Sequence, residues 1–510
     1  MLTKVFVFPE DYTTQQLRRD LEQRFKVQVK PHTSITCSYF DTFDWRIYHA
    51  GLVFYQMGDE YNLRRLNHTR IIARSTKQHE LRFSSELPDG LLKDKLAPIL
   101  GVRALMVTAR AKIEEQHWQV LNEDGKIVVR LVFQRMFRMG RSDTVSLSTF
   151  GILQPLRGYQ AEARYAAELL RASALKESPG DPYLILLQAL HKQPGDYSAR
   201  LNFHFQPEMS AAQVLGTVLQ FLQQVAHRNI EGIIKDIDTE FLHDFRVAIR
   251  RARSAVIQLA EILPPQVLKD FKKELTYLGK QSNRLRDLDV YILKEEEYRQ
   301  LLPEEMYRDM EPLFRQLREK RKKAHKKLVN ILQEQRSRQI LQDWQRLSVS
   351  LLREEQVTQR GHLAAVQVIK PIIARQMEQL LNNGRQIDST SSAELLHKLR
   401  IECKKLRYLL EFFVSLFPGK PVNAMVKQLK ALQDYLGDFN DLAVQQQFLL
   451  DFMEQLPGDD PQLRGTCAAV GALIGKLNER QQVLRREFER RFREFDSAKN
   501  RRLMERFFSM

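Results

Sequence analysis

HDFRVAIRRAR (243–253) recurs as HKLRIECKKLR (397–407), and that repetition decides how the chain is built. Slid against itself by this interval of 154 residues, the chain keeps matching without a gap. Pro264 falls on Pro418, Lys273 on Lys427, Leu275 on Leu429, Leu278 on Leu432, and RDLDV (286–290) on NDLAV (440–444). A register held from 243 to 290 exceeds what shared helical composition produces, so two homologous multi-helix halves related by a pseudo-twofold axis are expected. Each half should form one bundle.

At about 100° per residue, His243, Arg246, Arg250 and Arg253 lie within roughly 80° of one another on a helix. Phe245, Ala248, Ile249, Ala252, Val256 and Leu259 take the opposite side, so the helix can enter a core and still present its charges. In the second copy His397, Arg400, Lys404 and Arg407 make the stripe, and Leu399, Cys403, Leu406, Leu410 and Phe413 make the packing face. Like charges three or four residues apart repel by a few tenths of a kcal/mol per pair, so such a stripe favours an anion. A solvated amphipathic face explains one such helix equally well. Two copies that keep His, Arg, a basic residue and Arg while their neighbours diverge fit a common ligand better. Arginine's planar fork can donate two hydrogen bonds to phosphate oxygens, and lysine adds a compact charge. Two facing stripes, rising about 5.4 Å per turn, would line a groove for a linear polyanion. His243 and His397 then have two open roles, polar packing between the halves or hydrogen bonding to phosphate. Asp287 and Asp441 share a repeat position and are expected to orient a basic side chain.

With 80 Lys and Arg against 63 Asp and Glu, the chain carries a formal charge of +17. Polyanions are the partners this favours: nucleic acid, an acidic membrane or polyphosphate. Cys37, Cys403 and Cys467 are far apart and lack CxxC spacing, which suggests neither a disulfide framework nor a zinc site. A reducing cytoplasm fits. The start MLTKVFVFPEDYTTQQL is not patterned as an export signal, and no apolar run reaches about eighteen residues, so membrane insertion is not expected. No HExxH spacing, P-loop, GxGxxG turn or nucleophile arrangement points to a metal, a cofactor or a catalytic residue.

The chain divides by composition into an α+β domain at 1–175, a linker at 176–205 and an all-α domain at 206–505, with halves at about 206–355 and 356–505. Strand-like runs up to Thr149 are LTKVFVF, SITCSYF, RIIARS, HELRFS, RALMVTARAKI and HWQVLNEDGKIVVRLVF, the last a hairpin about Asp124-Gly125. TTQQLRRDLEQRF, LLKDKLAPIL and YQAEARYAAELLRASALK read as helices. ESPGDPY and KQPGDYSARLNFHFQPEMS, with their Pro and Gly, mark the linker. Helix breaks are expected at Pro264-Pro265, Pro303, Gly361, Pro418-Gly419 and Pro457-Gly458. The basic runs REKRKKAHKKL (318–328) and RREFERRFREF (485–495) read as solvated helix faces.

FLHDFRVAIRRARS, NRLRDLDV, LLHKLRIECKKLRYLLEFF and LQDYLGDFNDLAV together resemble the CHAD family, the conserved histidine α-helical domain, over about 206–505. The resemblance implies two pseudo-twofold-related four-helix bundles around a basic cavity that binds inorganic polyphosphate, with association to polyphosphate granules. Carried over by position, the anion-binding residues would be His243, Arg246, Arg250, Arg251 and Arg253 in the first half. In the second they would be His397, Arg400, Lys404, Lys405 and Arg407. Lys273, Lys280, Arg284, Lys427 and Lys430 follow on the next helices. NDLAV in place of RDLDV removes an arginine and an acid, so the halves need not contribute equally.

YFDTFDWRIYHAGLVF (39–54) and PLRGYQAEARYAAELL (155–170) resemble the CYTH or triphosphate-tunnel family, whose fold is an antiparallel sheet closed into a tunnel. That family's metal-holding E-x-E-x-K strand is absent, since the first strand reads TKVFVFP, so a degenerate, non-catalytic domain is implied. Arg64, Arg74, Arg82, Arg110 and Arg130 would face a tunnel or be surface charge. The reading that results is non-catalytic polyphosphate binding by a cytoplasmic, granule-associated protein without a cofactor. The alternatives are a metal-dependent triphosphatase or nucleotidyl cyclase, and a general nucleic-acid binder. The last is disfavoured, because the charged side of the first stripe carries no aromatic for base stacking.

Overall fold

The computed structural model describes residues 4–8, 13–68, 70–139, 144–172, 176–177, 181–388, 391–417, 419–456 and 463–509. Pro418, the break at Pro457-Gly458, Thr3 and Pro9 of the first strand run, and residues 178–180 of ESPGDPY lie outside them. The chain forms two compact units, Met1–Ser198 and Ala199–Met510.

In the first unit the order is β1 (Lys4–Phe8), α1 (Gln15–Glu22), β2 (Lys26–Val29), β3 (Thr33–Asp41), α2 (Arg46–His49), β4 (Leu52–Met57), β5 (Glu60–Arg65) and β6 (Ile71–Thr76). Then come α3 (Leu91–Leu100), β7 (Met106–Leu121), β8 (Ile127–Met139), β9 (Thr144–Pro155), α4 (Gln160–Ala172), β10 (Lys176–Glu177) and α5 (Pro182–Ala189). The strands form one curled antiparallel sheet in the order β10-β1-β9-β8-β7-β3-β4-β5-β6, with β2 added on β7. The period of two sorts side chains between its faces. In β1, Phe6 and Phe8 join α1 and α4 in one core, whereas Val5 and Val7 face a second core built around α5. The β7–β8 hairpin turns where expected, with Gly125 at φ +73° and the Gly125 amide donating to the Asn122 carbonyl at 3.0 Å.

Two expectations for this unit need correction. HELRFS is not a strand: the Glu86 carboxylate accepts from the amides of Arg82 (2.6 Å) and Phe83 (3.0 Å), which turns the chain into a short 3-10 turn at Ser84–Glu86. Within the stretch read as linker, the chain instead forms α5, started by Asp181, whose carboxylate accepts from the Tyr183 amide. Tyr183, Leu186 and Leu187 of α5 pack against Cys37, Tyr39, Ala111, Ile113 and Phe150 of the sheet. That burial outweighs the Pro and Gly signals around it. A β4–β5 hairpin, absent from the runs read in the sequence, completes the sheet through Gly58 at φ +59°.

The second unit holds α6 (Ala211–Ile234), α7 (Thr239–Gln258), α8 (Pro265–Leu293), α9 (Glu295–Gln300), α10 (Glu311–Gln333) and α11 (Gln335–Leu352). The second copy is α12 (Ala365–Arg385), α13 (Ala393–Phe413), α14 (Gly419–Glu454), α15 (Arg464–Phe495) and α16 (Ala498–Ser509). The starts of α7 and α8 reappear 154 residues on as the starts of α13 and α14. Asp238 caps α7 through the amides of Glu240 and Phe241, and Pro264-Pro265 set the start of α8. In the first half α6, α7, α8 and α11 pack together; in the second, α12, α13, α14 and the end of α15 with α16 take the corresponding places.

Backbone hydrogen bonds mark the twofold relation. Ser210 and Ala364, equivalent in the repeat, form an antiparallel bridge on each other. The Ala211 amide donates to the Leu363 carbonyl and the Ala365 amide to the Met209 carbonyl, both at 2.9 Å, so each half returns the bond it receives. Away from that bridge, Leu288, Tyr291, Phe314 and Leu317 of one half share a core with Leu449, Phe452, Leu473 and Leu477 of the other. Tyr291 stacks on Phe448 with ring centroids 3.8 Å apart. Among the described residues no helix is long and apolar enough to cross a membrane.

Candidate polyanion-binding site

Helices α7 and α13 pack on one another inside this second unit. Their apolar faces are buried as the periodicity requires: Phe245, Ala248, Ile249, Ala252 and Val256 in α7, and Leu399, Cys403, Leu406, Leu410 and Phe413 in α13. The charged stripes therefore meet near the twofold axis.

Lys404 shows how crowded that meeting is. Burial pushes its ammonium down to about 7, and Arg250, Arg400 and Arg407 push in the same direction, with Asp441 opposing. Arg250, exposed, comes from the first half and holds the repeat position of Lys404, so equivalent cations act on one another. Arg246 lies beside them. Its guanidinium donates to the Gly279 carbonyl (3.3 Å), the Ser282 hydroxyl (3.1 Å) and the Asn283 side-chain oxygen (2.6 Å) of α8. Burial brings it down to about 10, countered by Asp287 and reinforced by Arg250 and Arg286. A guanidinium stays charged at neutral pH all the same, so the direction measures how much an incoming anion would relieve.

The second copy holds its arginine differently. Asn283 is replaced by Gly437, and Arg400 instead donates to Asp441 at 3.3 Å. Asp441 thus holds Arg400 as an ion pair, the role expected of it, whereas Asp287 acts on Arg246 through its charge and the hydrogen bonds that orient Arg246 go to Gly279, Ser282 and Asn283. The RDLDV departure also has a structural reading. Arg286 donates to the Thr239 carbonyl at 3.4 Å, at the start of α7, and Asp289 receives Arg321 at 2.7 Å; Ala443 has no group to receive an arginine, and Asn440 lacks the guanidinium. Asn440 meets His397 Nδ1 at 2.5 Å instead.

The remaining candidates separate into groups. Arg251 and Arg407 are tied to Glu411 at 3.5 and 3.4 Å, and Arg251 also donates to the Ala199 carbonyl at 3.3 Å. Burial lowers the Arg251 guanidinium, with Glu411 opposing. Arg251 thus joins the two helices, while Lys405, its repeat partner, is exposed near Glu402. His243 and Arg253 are half-buried and His397 is exposed. Lys273, Lys280, Arg284, Lys427 and Lys430 are exposed on α8 and α14. Glu411, whose repeat partner is Ile257, escaped the sequence reading; its only signal is the four-residue spacing from Arg407.

Other basic groups are committed elsewhere. Arg321 forks onto Asp236 at 2.7 Å, and Arg318 pairs with Glu295 and Glu311, while Lys322, Lys323, Lys326 and Lys327 of the run 318–328 are exposed on a solvated helix face. In the first unit Arg74, Arg82, Arg110 and Arg130 are exposed, and Arg64 is buried against Asp181 at 2.5 and 2.6 Å. Asp41 of the YFDT motif accepts from the amides of Thr42, Ile47 and Tyr48, and burial raises its carboxyl to about 6. Among the described residues no three His, Cys, Asp or Glu side chains gather as metal ligands.

No curated protein matches the chain. Among solved structures it is similar to the crystal structure of the CHAD domain from the plant Ricinus communis, with 22% identity and a TM-score of 0.49, covering 58% of this chain and 94% of that one. PptA from Streptomyces chartreusis aligns with 14% identity and a TM-score of 0.44, covering 56% of this chain and all of that one. The curled antiparallel sheet of the first unit is compatible with a CYTH-like domain. The CHAD domain family model matches residues 217–450, the span from α6 through most of α14 that contains both stripes, and the chain carries a CHAD domain there.

Proposed function

We propose that this protein binds inorganic polyphosphate without turning it over, through Arg246, Arg250, Arg400, Lys404 and Arg407 at the twofold axis, and that it does so on cytoplasmic polyphosphate granules. The observation that carries the reading is the meeting of Arg250 with Lys404. Lys404 is half-buried and Arg250 exposed beside it; the two cations repel, and a polymer of closely spaced phosphates relieves that repulsion along its length. Arginine forks and a lysine point charge suit unesterified phosphate oxygens. In the first unit α5 and its apolar side chains cover the sheet face that holds Ala109, Ala111 and Ile113, which fits an accessory rather than a catalytic domain.

A competition titration of long-chain polyphosphate against single- and double-stranded DNA, at matched charge and salt, tests the reading on the full chain. Selective polyphosphate binding, weakened roughly a hundredfold in a folded Arg246→Ala/Arg400→Ala variant, supports it, taking about 1.5 kcal/mol per charged hydrogen bond lost. Equal affinity for all three polymers, unchanged in the variant, overturns it in favour of a general polyanion surface. Orthophosphate release above a heat-inactivated control would overturn the non-catalytic part.

A further inference from the structure

The two halves share a fold, yet beyond the axis their charges reverse at two repeat positions. On α8, Lys269, Lys273, Lys280 and Arg284 fall within about 60° of one another on the helix. They rise over fifteen residues, roughly 22 Å at about 1.5 Å per residue. Together with Lys272, Tyr277 and Arg336 of α11, the lysines line a groove of about 630 Å³. Arg336 lies over the Tyr277 ring at 3.7 Å and is held by Glu274 at 3.1 Å. Among the described residues no carboxylate lies within ion-pair distance of Lys273, Lys280 or Arg284. The run also joins the axial site: Arg284 acts on Asp287, which faces Arg246, and on Lys320 of α10.

On α14 Lys427 keeps the place of Lys273, but two of the other positions reverse sign. Asp434 stands where Lys280 stands, and Asp438 where Arg284 stands. Burial raises the Asp438 carboxyl, and Asp441 and Asp434 raise it further, so α14 presents crowded negative charge beside Arg400.

We infer that the polyphosphate track is one-sided: the polymer leaves the axial site over α8 and is turned away by Asp434 and Asp438 on α14. This rests on the polyphosphate reading above. It predicts a polarity of binding that the twofold fold alone would not impose, and a gain from chain length supplied by the first half.

Affinities of the full chain for tripolyphosphate and for long-chain polyphosphate, measured at one salt concentration, test this. Lys280→Gln/Arg284→Gln should cut long-chain affinity roughly tenfold, since each phosphate contact adds a counterion-release contribution, while tripolyphosphate affinity falls less than about twofold. Adding Asp434→Asn/Asp438→Asn restores the formal charge of +17. Because those acids are what turns the polymer away, the fourfold variant should regain part of the long-chain affinity over α14 and leave tripolyphosphate affinity unchanged. No recovery in the fourfold variant, an equal loss for both ligands, or no loss in the double variant would overturn the one-sided track while leaving axial binding intact. A wild-type chain with no preference for polyphosphate would instead remove the reading beneath it.

Discussion

Arg250 and Lys404 hold the same position in the two copies of the repeat, and of all the charges around the Lys404 ammonium, Arg250 acts on it most strongly. Homologous halves that pack about a twofold axis bring equivalent residues face to face. Here those residues are both cations. The consequence is a site whose free form holds its lysine near its own titration point at neutral pH.

Lys404 therefore makes binding pH-dependent. Its pKa is about 7 in the free protein, and a bound polyanion favours the charged form and raises it. Binding takes up protons, and affinity is greatest below about pH 7 and falls as pH rises from there toward the higher bound-state pKa. Titrations from about pH 6 to pH 9, in buffers of different ionisation enthalpy, should show proton uptake that disappears in Lys404→Arg. Uptake that persists in that variant would assign the effect to another group.

Glu411 holds Arg251 of α7 and Arg407 of α13 together, and the Nε of each arginine is buried without a hydrogen-bond partner. Glu411→Ala removes an anion shared by two half-buried guanidiniums. A loss of roughly 1–3 kcal/mol is expected, from the uncompensated charge and the broken bonds. Denaturant unfolding measures it; an unchanged midpoint would show that the cluster contributes nothing to the packing of α7 on α13.

Gly232 lies in α6, where alanine would raise helix propensity by about 1 kcal/mol. A Cβ there would overlap the buried ring of Phe241 at the start of α7. Overpacking of this kind costs about 1–3 kcal/mol, so Gly232→Ala should destabilise the protein on balance. A higher melting temperature would contradict the packing described.

In the first unit Arg64 and Asp181 form a buried pair, with side-chain exposures of 9% and 1%. Asp181 also starts α5 and accepts from the Asn67 amide at 2.8 Å. Arg64→Met leaves that carboxylate unpaired and should cost about 3–5 kcal/mol, loosening α5 from the sheet. Arg64→Met/Asp181→Asn should recover part of the loss in calorimetry. No recovery would mean that the arginine stem, rather than its charge, is what packs there.

The repeat, its helix starts and the buried faces of α7 and α13 were legible because periodicity of 3.6 and a constant interval are local, countable features. The β7–β8 hairpin was legible from Asp124-Gly125. HELRFS misled because its alternation imitates a strand, while Glu86, two residues past the run, takes the amides a ladder would need. The helix α5 was hidden by the Pro and Gly around it, since its reason for forming is the distant sheet. For the site, residue types and stripes could be read along the chain. Glu411 has no equivalent in the first copy, and the opposition of Lys280 and Arg284 to Asp434 and Asp438 takes meaning only once α8 and α14 are placed about a common axis.

The most direct test of the central claim is the affinity of long-chain polyphosphate, and its salt dependence, for the wild-type chain and for Arg250→Ala/Lys404→Ala. The account predicts a folded variant with affinity lowered roughly a hundredfold and a shallower log–log salt slope, by about 0.7 for each lost contact. Unchanged affinity and slope would show that the two residues meet for packing alone, and that polyphosphate, if bound, sits elsewhere.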